Sequence, residues 1–286
     1  MAEILKGKPV ADHLDEISLA KSEALREKGI IPLLAVLRVG ARDDDISYER
    51  GASKKCRKTG VEVRSVVLPE DVEQEEFYRT LDELNNDPKV HGILMFRPLP
   101  KHLDNEKARL SINPEKDVDG CGNRSLTGVF INKKMGFAPC TAEAAMQILD
   151  YYGIELSGKK VVVIGRSLVV GKPLAMLLLN RNATVTVCHS RSINIPAITR
   201  DADIIISCTG QMESVNAEYV REGQTVIDVG ITYNEKKQKL CGDVLFEEVE
   251  PIVAAITPVP GGVGSVTTSV LVSHVVEAAL RQNENA

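Results

Sequence analysis

Apolar and polar residues alternate along the chain with two periods in turn. After Lys8-Pro9, the positions Val10, Leu14, Ile17 and Leu25 share one helical face that runs to Gly29. PLLAVLRVG (32–40) then reads as a strand, residues 44–59 as a polar helix closed by Gly60, and VEVRSVVLP as a second strand. An amphipathic helix over 73–86 leads to a third strand, HGILMF (91–96), which stops at Arg97-Pro98-Leu99-Pro100. Strands alternating with helices of this length predict βαβ units and a parallel sheet.

Between 111 and 140 the pattern dissolves into Gly, Asn, Asp and Pro, a loop of the length that usually carries function. A helix over 141–152 precedes VVVIGRSLVVGKP (161–173), where a buried strand breaks at Gly165 and a helix starts near Gly171. Pro173 suits the first helical turn, where its missing N–H costs nothing. The alternation resumes with ATVTVCH (183–189), ADIIISCTG (202–210), QTVIDVG (224–230) and AAITPVPGGVG (254–264). The predicted fold is α/β in two domains. Residues 1–140 form a three-layer αβα domain with a parallel sheet, and 141–265 a doubly wound, Rossmann-type NAD(P)-binding domain. The last helix, 266–286, is expected to pack back on the first.

A strand feeding a helix through glycines gathers backbone N–H groups and the positive helix end at one point, which suits phosphate. The spacing from Gly165 to Gly171 is not GxGxxG, so from this loop alone an ordinary turn with closely packed glycines remains an equal reading. The other strand ends favour the dinucleotide: His189-Ser190, Thr209-Gly210, Asp228 to Gly230, and Gly261-Gly262 all lie where ligands of open α/β sheets sit. The strand at 183–189 ends without the acid that grips the ribose of NAD. Arg166, Ser190 and Arg191 offer donors for a 2′-phosphate instead, unless the arginines are plain surface residues. NADP is therefore expected, with NAD as the alternative.

Composition narrows the partners. With 286 residues, 43% hydrophobic and 26% charged, the chain has the make-up of a soluble globular protein, and a net charge of −5 argues against nucleic acid. No signal peptide or membrane span is legible, and the six cysteines are scattered without a CxxC pair. A cytoplasmic protein with reduced thiols and no metal site is expected.

PEKDVDG (114–120), PCT (139–141), VVVIGRSLVVGKP, TVTVCHS (184–190), VIDVGI (226–231), GDV (242–244) and ITPVPGGVG (256–264) together resemble the methylenetetrahydrofolate dehydrogenase/cyclohydrolase family over nearly the whole chain. The resemblance implies a two-domain enzyme with folate in the interdomain cleft, and a homodimer formed through the nucleotide domain. It would oxidise 5,10-methylenetetrahydrofolate with NADP and hydrolyse the methenyl product to 10-formyltetrahydrofolate, two steps of one-carbon metabolism. It assigns cofactor contacts to Gly165, Arg166, Ser167, Gly171, Ser190, Thr209, Gly210, Gly230, Ile231, Gly262 and Thr267. It places Tyr48, Pro98, Asp119, Pro260, Gly261 and Gly262 at the substrate, with Tyr48 and Asp119 closest to the chemistry. Local sequence alone would read Asp119 as a turn residue beside Gly120, and Tyr48 as a half-buried helix tyrosine.

Two departures stand out. The family pattern YVxxKxK places a catalytic lysine four residues after the tyrosine, where this chain has Ala52. Lys55 lies about 10 Å along the helix from Tyr48, too far to replace it simply. The family strand end VQLPLP supplies a glutamine where this chain has Phe96, which has no hydrogen-bonding side chain. The dehydrogenase should survive these changes, whereas the cyclohydrolase is expected to be weak or lost. Two other readings are a shikimate-type dehydrogenase and a non-catalytic folate- and NADP-binding regulator.

Overall fold

A computed structural model describes residues 1–283; positions 284–286 of the expected last helix lie outside the described residues. In chain order the first elements are β1 (Glu3–Ile4), α1 (Gly7–Glu27), β2 (Leu33–Val39), α2 (Asp43–Lys58), β3 (Glu62–Leu68), α3 (Gln74–Asn86), β4 (Gly92–Met95), α4 (Asn105–Leu110), α5 (Asn123–Ile131) and α6 (Cys140–Tyr151). There follow β5 (Lys160–Ile164), α7 (Gly171–Leu179), β6 (Thr184–Cys188), α8 (Ile195–Arg200), β7 (Ile204–Ser207), β8 (Thr225–Asp228), β9 (Thr232–Asn234), β10 (Lys239–Cys241), α9 (Phe246–Val249), β11 (Ala255–Ile256) and α10 (Gly264–Asn283). The chain divides into two compact units. One comprises Met1–Ala11 and Thr141–Thr267; the other comprises Asp12–Cys140 and the chain from Thr268 on.

The unit built around residues 12–140 carries a parallel sheet of order β3-β2-β4. β2 is central because LLAVLRV is apolar on both faces, the signature of a covered parallel strand. Ala35, Leu37 and Val39 pack on Phe77, Leu81 and Leu84 of α3 and on Ala108 of α4. Phe77 is fully buried, which contributes about 2–3 kcal/mol of transfer free energy. On the opposite face Leu34 and Val36 are also buried, and Gly92 faces Val118 and Val275, the latter from α10. Near the end of α10, Gln282 donates to the carbonyls of His91 and Glu115, and Arg281 donates to that of Gly136.

In the other unit all strands of the main sheet run parallel in the order β1-β11-β8-β7-β5-β6. Counting from β5, this is the doubly wound order 2-1-3-4-5, extended at its far edge by β1. The direction of winding reverses between β5 and β7, and ligands of such sheets bind in the crevice beyond that point. Val162, Ile164, Ile205, Val226 and Ile256 from four strands form one core with Val249 of α9.

Three features depart from the sequence reading. The segment 111–140 is not uniformly irregular, because it contains α5. The N-cap of α5, Gly122, has no side-chain cap; instead the Asp117 carboxylate accepts from the N–H groups of Cys121 and Gly122 and from the Ser125 hydroxyl. Residues 1–11 do not join the unit formed by the rest of 1–140. β1 pairs with β11, with Glu3 opposite Ala255, and that pairing brings it into the large sheet. The strand expected over 254–264 is only the two residues of β11, and the antiparallel hairpin β9–β10 adds a small separate sheet. No helix among the described residues is long and apolar enough to cross a membrane.

Candidate active site

The loop after β5 shows why two of its residues are glycine. Gly165 sits at φ +132°, and a Cβ there would lie 2.5 Å from the carbonyl oxygen of Cys208 at the end of β7. A Cβ on Gly171 would strike the Gly165 peptide itself. Only a glycine pair lets the chain fold this tightly at the switch point. The Ser167 hydroxyl accepts from the Val170 N–H at 3.1 Å and closes the loop onto α7.

A cavity of about 310 Å³ opens beyond β5, β6 and β7. The expected cofactor residues Gly165, Arg166, Ser167, Ser190 and Thr209 line it, joined by His189, Cys208, Gln211, Ser214 and Tyr219. A second cavity of about 220 Å³ is lined by Gly230, Ile231, Pro260, Gly261 and Gly262, together with Asp228 and Ser265. Gly171, Gly210 and Thr267 line neither: Gly171 packs on Gly165, and the Thr267 hydroxyl back-bonds to the Val263 carbonyl. His189 was legible as a strand end, whereas Tyr219 carried no sequence signal, since it reaches the cavity wall only through the folding of a segment well after β7.

Two buried aspartates organise the strand ends. Asp243 accepts from the Thr209 N–H at 2.6 Å and the Ser207 hydroxyl at 3.1 Å. Asp228 accepts from the N–H groups of Gly230, Asp243 and Val244 at 2.9–3.0 Å. Burial pushes the Asp228 carboxyl up to about 7, with the Asp243 charge adding to the rise and the three N–H donors opposing it. The N–H of Thr209 is therefore spent inside the protein. Among the described residues no His, Cys, Asp or Glu group is placed to hold a metal.

In the other unit, Tyr48 on α2 and Phe96 after β4 stack edge to face, with ring centroids 5.7 Å apart and planes at 84°. The Tyr48 phenol is raised above its ordinary value, chiefly by burial, and it exchanges a hydrogen bond with Thr268. Ala52, one turn further along α2, is 1% exposed. Lys55 cannot stand in for a lysine there. Its ammonium donates to both Asp15 oxygens, at 3.0 and 3.3 Å, and to the Ser269 hydroxyl at 2.7 Å.

KDVDG (116–120) divides its labour. The buried Lys116 ammonium donates to the Leu84 and Asp87 carbonyls at the end of α3. Asp117 holds the turn ahead of α5, as described above. The turn-forming role that local sequence would give Asp119 is thus filled by Asp117, and Asp119 faces Arg97, with Nη2 3.8 Å from Oδ2. Burial raises the Asp119 carboxyl to about 6, while the Arg97 charge and the Cys140 thiol hold it down. A third of the side chain, 34%, stays open to solvent, and water at that face moderates the rise. Pro98 is exposed beside Arg97.

Comparison with known proteins gives a consistent picture. Residues 5–119 match the model of the tetrahydrofolate dehydrogenase/cyclohydrolase catalytic domain, and residues 139–283 that of the corresponding NAD(P)-binding domain. A Carboxydothermus hydrogenoformans protein named bifunctional protein FolD is 52% identical over 279 residues, 97% of each chain. The crystal structure of the Campylobacter jejuni FolD, a methylenetetrahydrofolate dehydrogenase/cyclohydrolase, superposes with a TM-score of 0.95 at 38% identity and covers 98% of this chain and 99% of that one. The Trypanosoma brucei enzyme, complexed with NADP and an inhibitor, gives 0.91 at 37% identity and covers 98% of both.

Proposed function

Because the chain belongs to the tetrahydrofolate dehydrogenase/cyclohydrolase family, we propose that it oxidises 5,10-methylenetetrahydrofolate to 5,10-methenyltetrahydrofolate with NADP. NADP, when bound, takes up the hydride from the bridging carbon. No protein group has to give or take a proton in that step, so the chain's task is to hold two ring systems in place. The observation that carries the folate half of the reading is Asp119: the local turn contacts are made by Asp117, which leaves the Asp119 carboxylate to accept from the amino group and ring N–H of the pterin. Tyr48 would lie against the substrate's aromatic ring. For the cofactor, the glycine pair 165/171 provides room at the switch point, and Arg166 with Ser190 supplies donors for the 2′-phosphate.

The relatives are bifunctional, and hydrolysis of the methenyl product is the weaker activity here. That step needs a group to move protons. Position 52 offers a buried methyl, position 96 a phenyl ring, and Lys55 is held by Asp15 and Ser269. One assay tests the whole reading: methylenetetrahydrofolate with NADP or NAD, following nucleotide reduction and methenyl absorbance together. NADPH formation with accumulating methenyl product is expected. Binding of both ligands without nucleotide reduction would overturn the enzyme reading.

A homodimer in the cytoplasm completes the proposal. β6 is the unpartnered edge of a parallel sheet, with Val187 exposed, and such edges invite pairing with a second copy. No disulfide joins any of the six cysteines, in keeping with a reducing compartment.

A further inference from the structure

We propose that Arg97 is a specificity residue of the folate site, donating hydrogen bonds to the 4-oxo group of the pterin while Asp119 accepts from the two N–H groups next to it. The inference rests on the folate reading above and adds a residue that the family strand end, VQLPLP, does not supply: arginine stands where that pattern has leucine.

The edge of a 2-amino-4-oxo ring shows three neighbouring groups: a carbonyl acceptor, a ring N–H and an amino N–H. A carboxylate can satisfy the two donors and must leave the carbonyl, because it has no proton to offer when ionised. The carbonyl needs a donor standing beside the carboxylate, and Arg97 stands there. Its Nη2 lies 3.8 Å from Asp119 Oδ2, close enough for charge attraction to keep the pair side by side. That distance is also too long for a hydrogen bond, so the pairing does not consume the carboxylate's lone pairs.

The Arg97 side chain as a whole is three-quarters shielded, at 25% exposure, and its contact with Asp119 is an ion pair rather than a hydrogen bond to a protein acceptor. A shielded group with five N–H donors and no acceptor is costly unless a ligand or water completes it. The order of residues fixes its direction. Phe96 turns to Tyr48 and the next residue turns to Asp119, so the aromatic wall and the polar pair come from adjacent positions. A guanidinium offers N–H donors and no acceptor, so Arg97 can donate to the ring but cannot serve as the missing base for hydrolysis.

The test compares folic acid with its 4-amino-4-deoxy analogue, in which the acceptor becomes a donor. Dissociation constants are measured by fluorescence for the intact protein, Arg97→Leu and Arg97→Lys, each checked for an unchanged melting temperature. The intact protein should prefer the 4-oxo ligand. Arg97→Leu should bind it 10- to 100-fold more weakly while changing affinity for the 4-amino ligand less than threefold, and lysine should restore part of the loss. Equal weakening of both ligands, or of neither, overturns the role of Arg97. If that result comes from a protein that still reduces NADP with methylenetetrahydrofolate, the dehydrogenase reading stands and this inference alone falls.

Discussion

Acidification should weaken folate binding about two pH units earlier than an ordinary aspartate would allow. Asp119 accepts from the pterin only when ionised, and its carboxyl is raised to about 6 from a reference value of 3.8. With one proton binding near 6, roughly one carboxylate in eleven is ionised at pH 5, so the apparent KM rises about tenfold between pH 8 and pH 5. A carboxyl at 3.8 would still be more than about nine-tenths ionised there, and KM would barely move. The sign is opposite for the unliganded protein. A carboxyl whose folded value is raised favours the protonated form, so its contribution to stability is present at low pH and lost as pH rises through about 6. The assay is the pH profile of kcat/KM for methylenetetrahydrofolate at saturating NADP, supported by direct binding of folic acid over the same range. Asp119→Asn should bind at least tenfold more weakly and show a flat profile between pH 5 and 8. An inflection near 4 in the intact protein, or the same inflection near 6 in Asp119→Asn, would refute the assignment.

Other consequences follow from single contacts. Ala52→Lys combined with Phe96→Gln should raise methenyltetrahydrofolate hydrolysis by 10²-fold or more, the usual scale of general acid–base assistance, as followed by loss of the methenyl absorbance. Gly165→Ala brings a methyl against the Cys208 carbonyl at a φ that alanine rarely adopts, so the melting temperature should fall by several degrees and NADP should no longer bind. Arg166→Ala should raise KM for NADP about tenfold or more while leaving that for NAD within threefold, since only the former carries the 2′-phosphate. Asp117→Ala should cost about 1–2 kcal/mol in urea unfolding at pH 7 through loss of three hydrogen bonds ahead of α5, while Asp119→Ala should not lower stability there.

The alternation of helix and strand was legible because parallel strands buried on both faces, such as β2 and β5, read as apolar runs whatever surrounds them. α5 was hidden because its N-cap position holds glycine with no side-chain cap, and the aspartate that steadies its approach, Asp117, sits well ahead of the helix. β1 was hidden for a different reason: two residues carry no periodicity, and their partner Ala255 lies about 250 positions away. At the site, the motif glycines and Asp119 could be read from order and spacing. The spent N–H of Thr209, the engagement of Lys55 with Asp15, and the facing of Arg97 and Asp119 could not, since each depends on side chains meeting across elements.

The pairing of β1 with β11 also has a consequence for biosynthesis. Glu3 and Ile4 leave the ribosome some 250 residues ahead of the backbone groups they must join, at Ala255 and Ile256. At about 5–20 residues per second that delay is roughly 12–50 s. During it Leu5, which becomes fully buried, has no sheet to cover it. The nascent chain must carry this segment exposed until β11 is made, so β1 is paired long after it is synthesised.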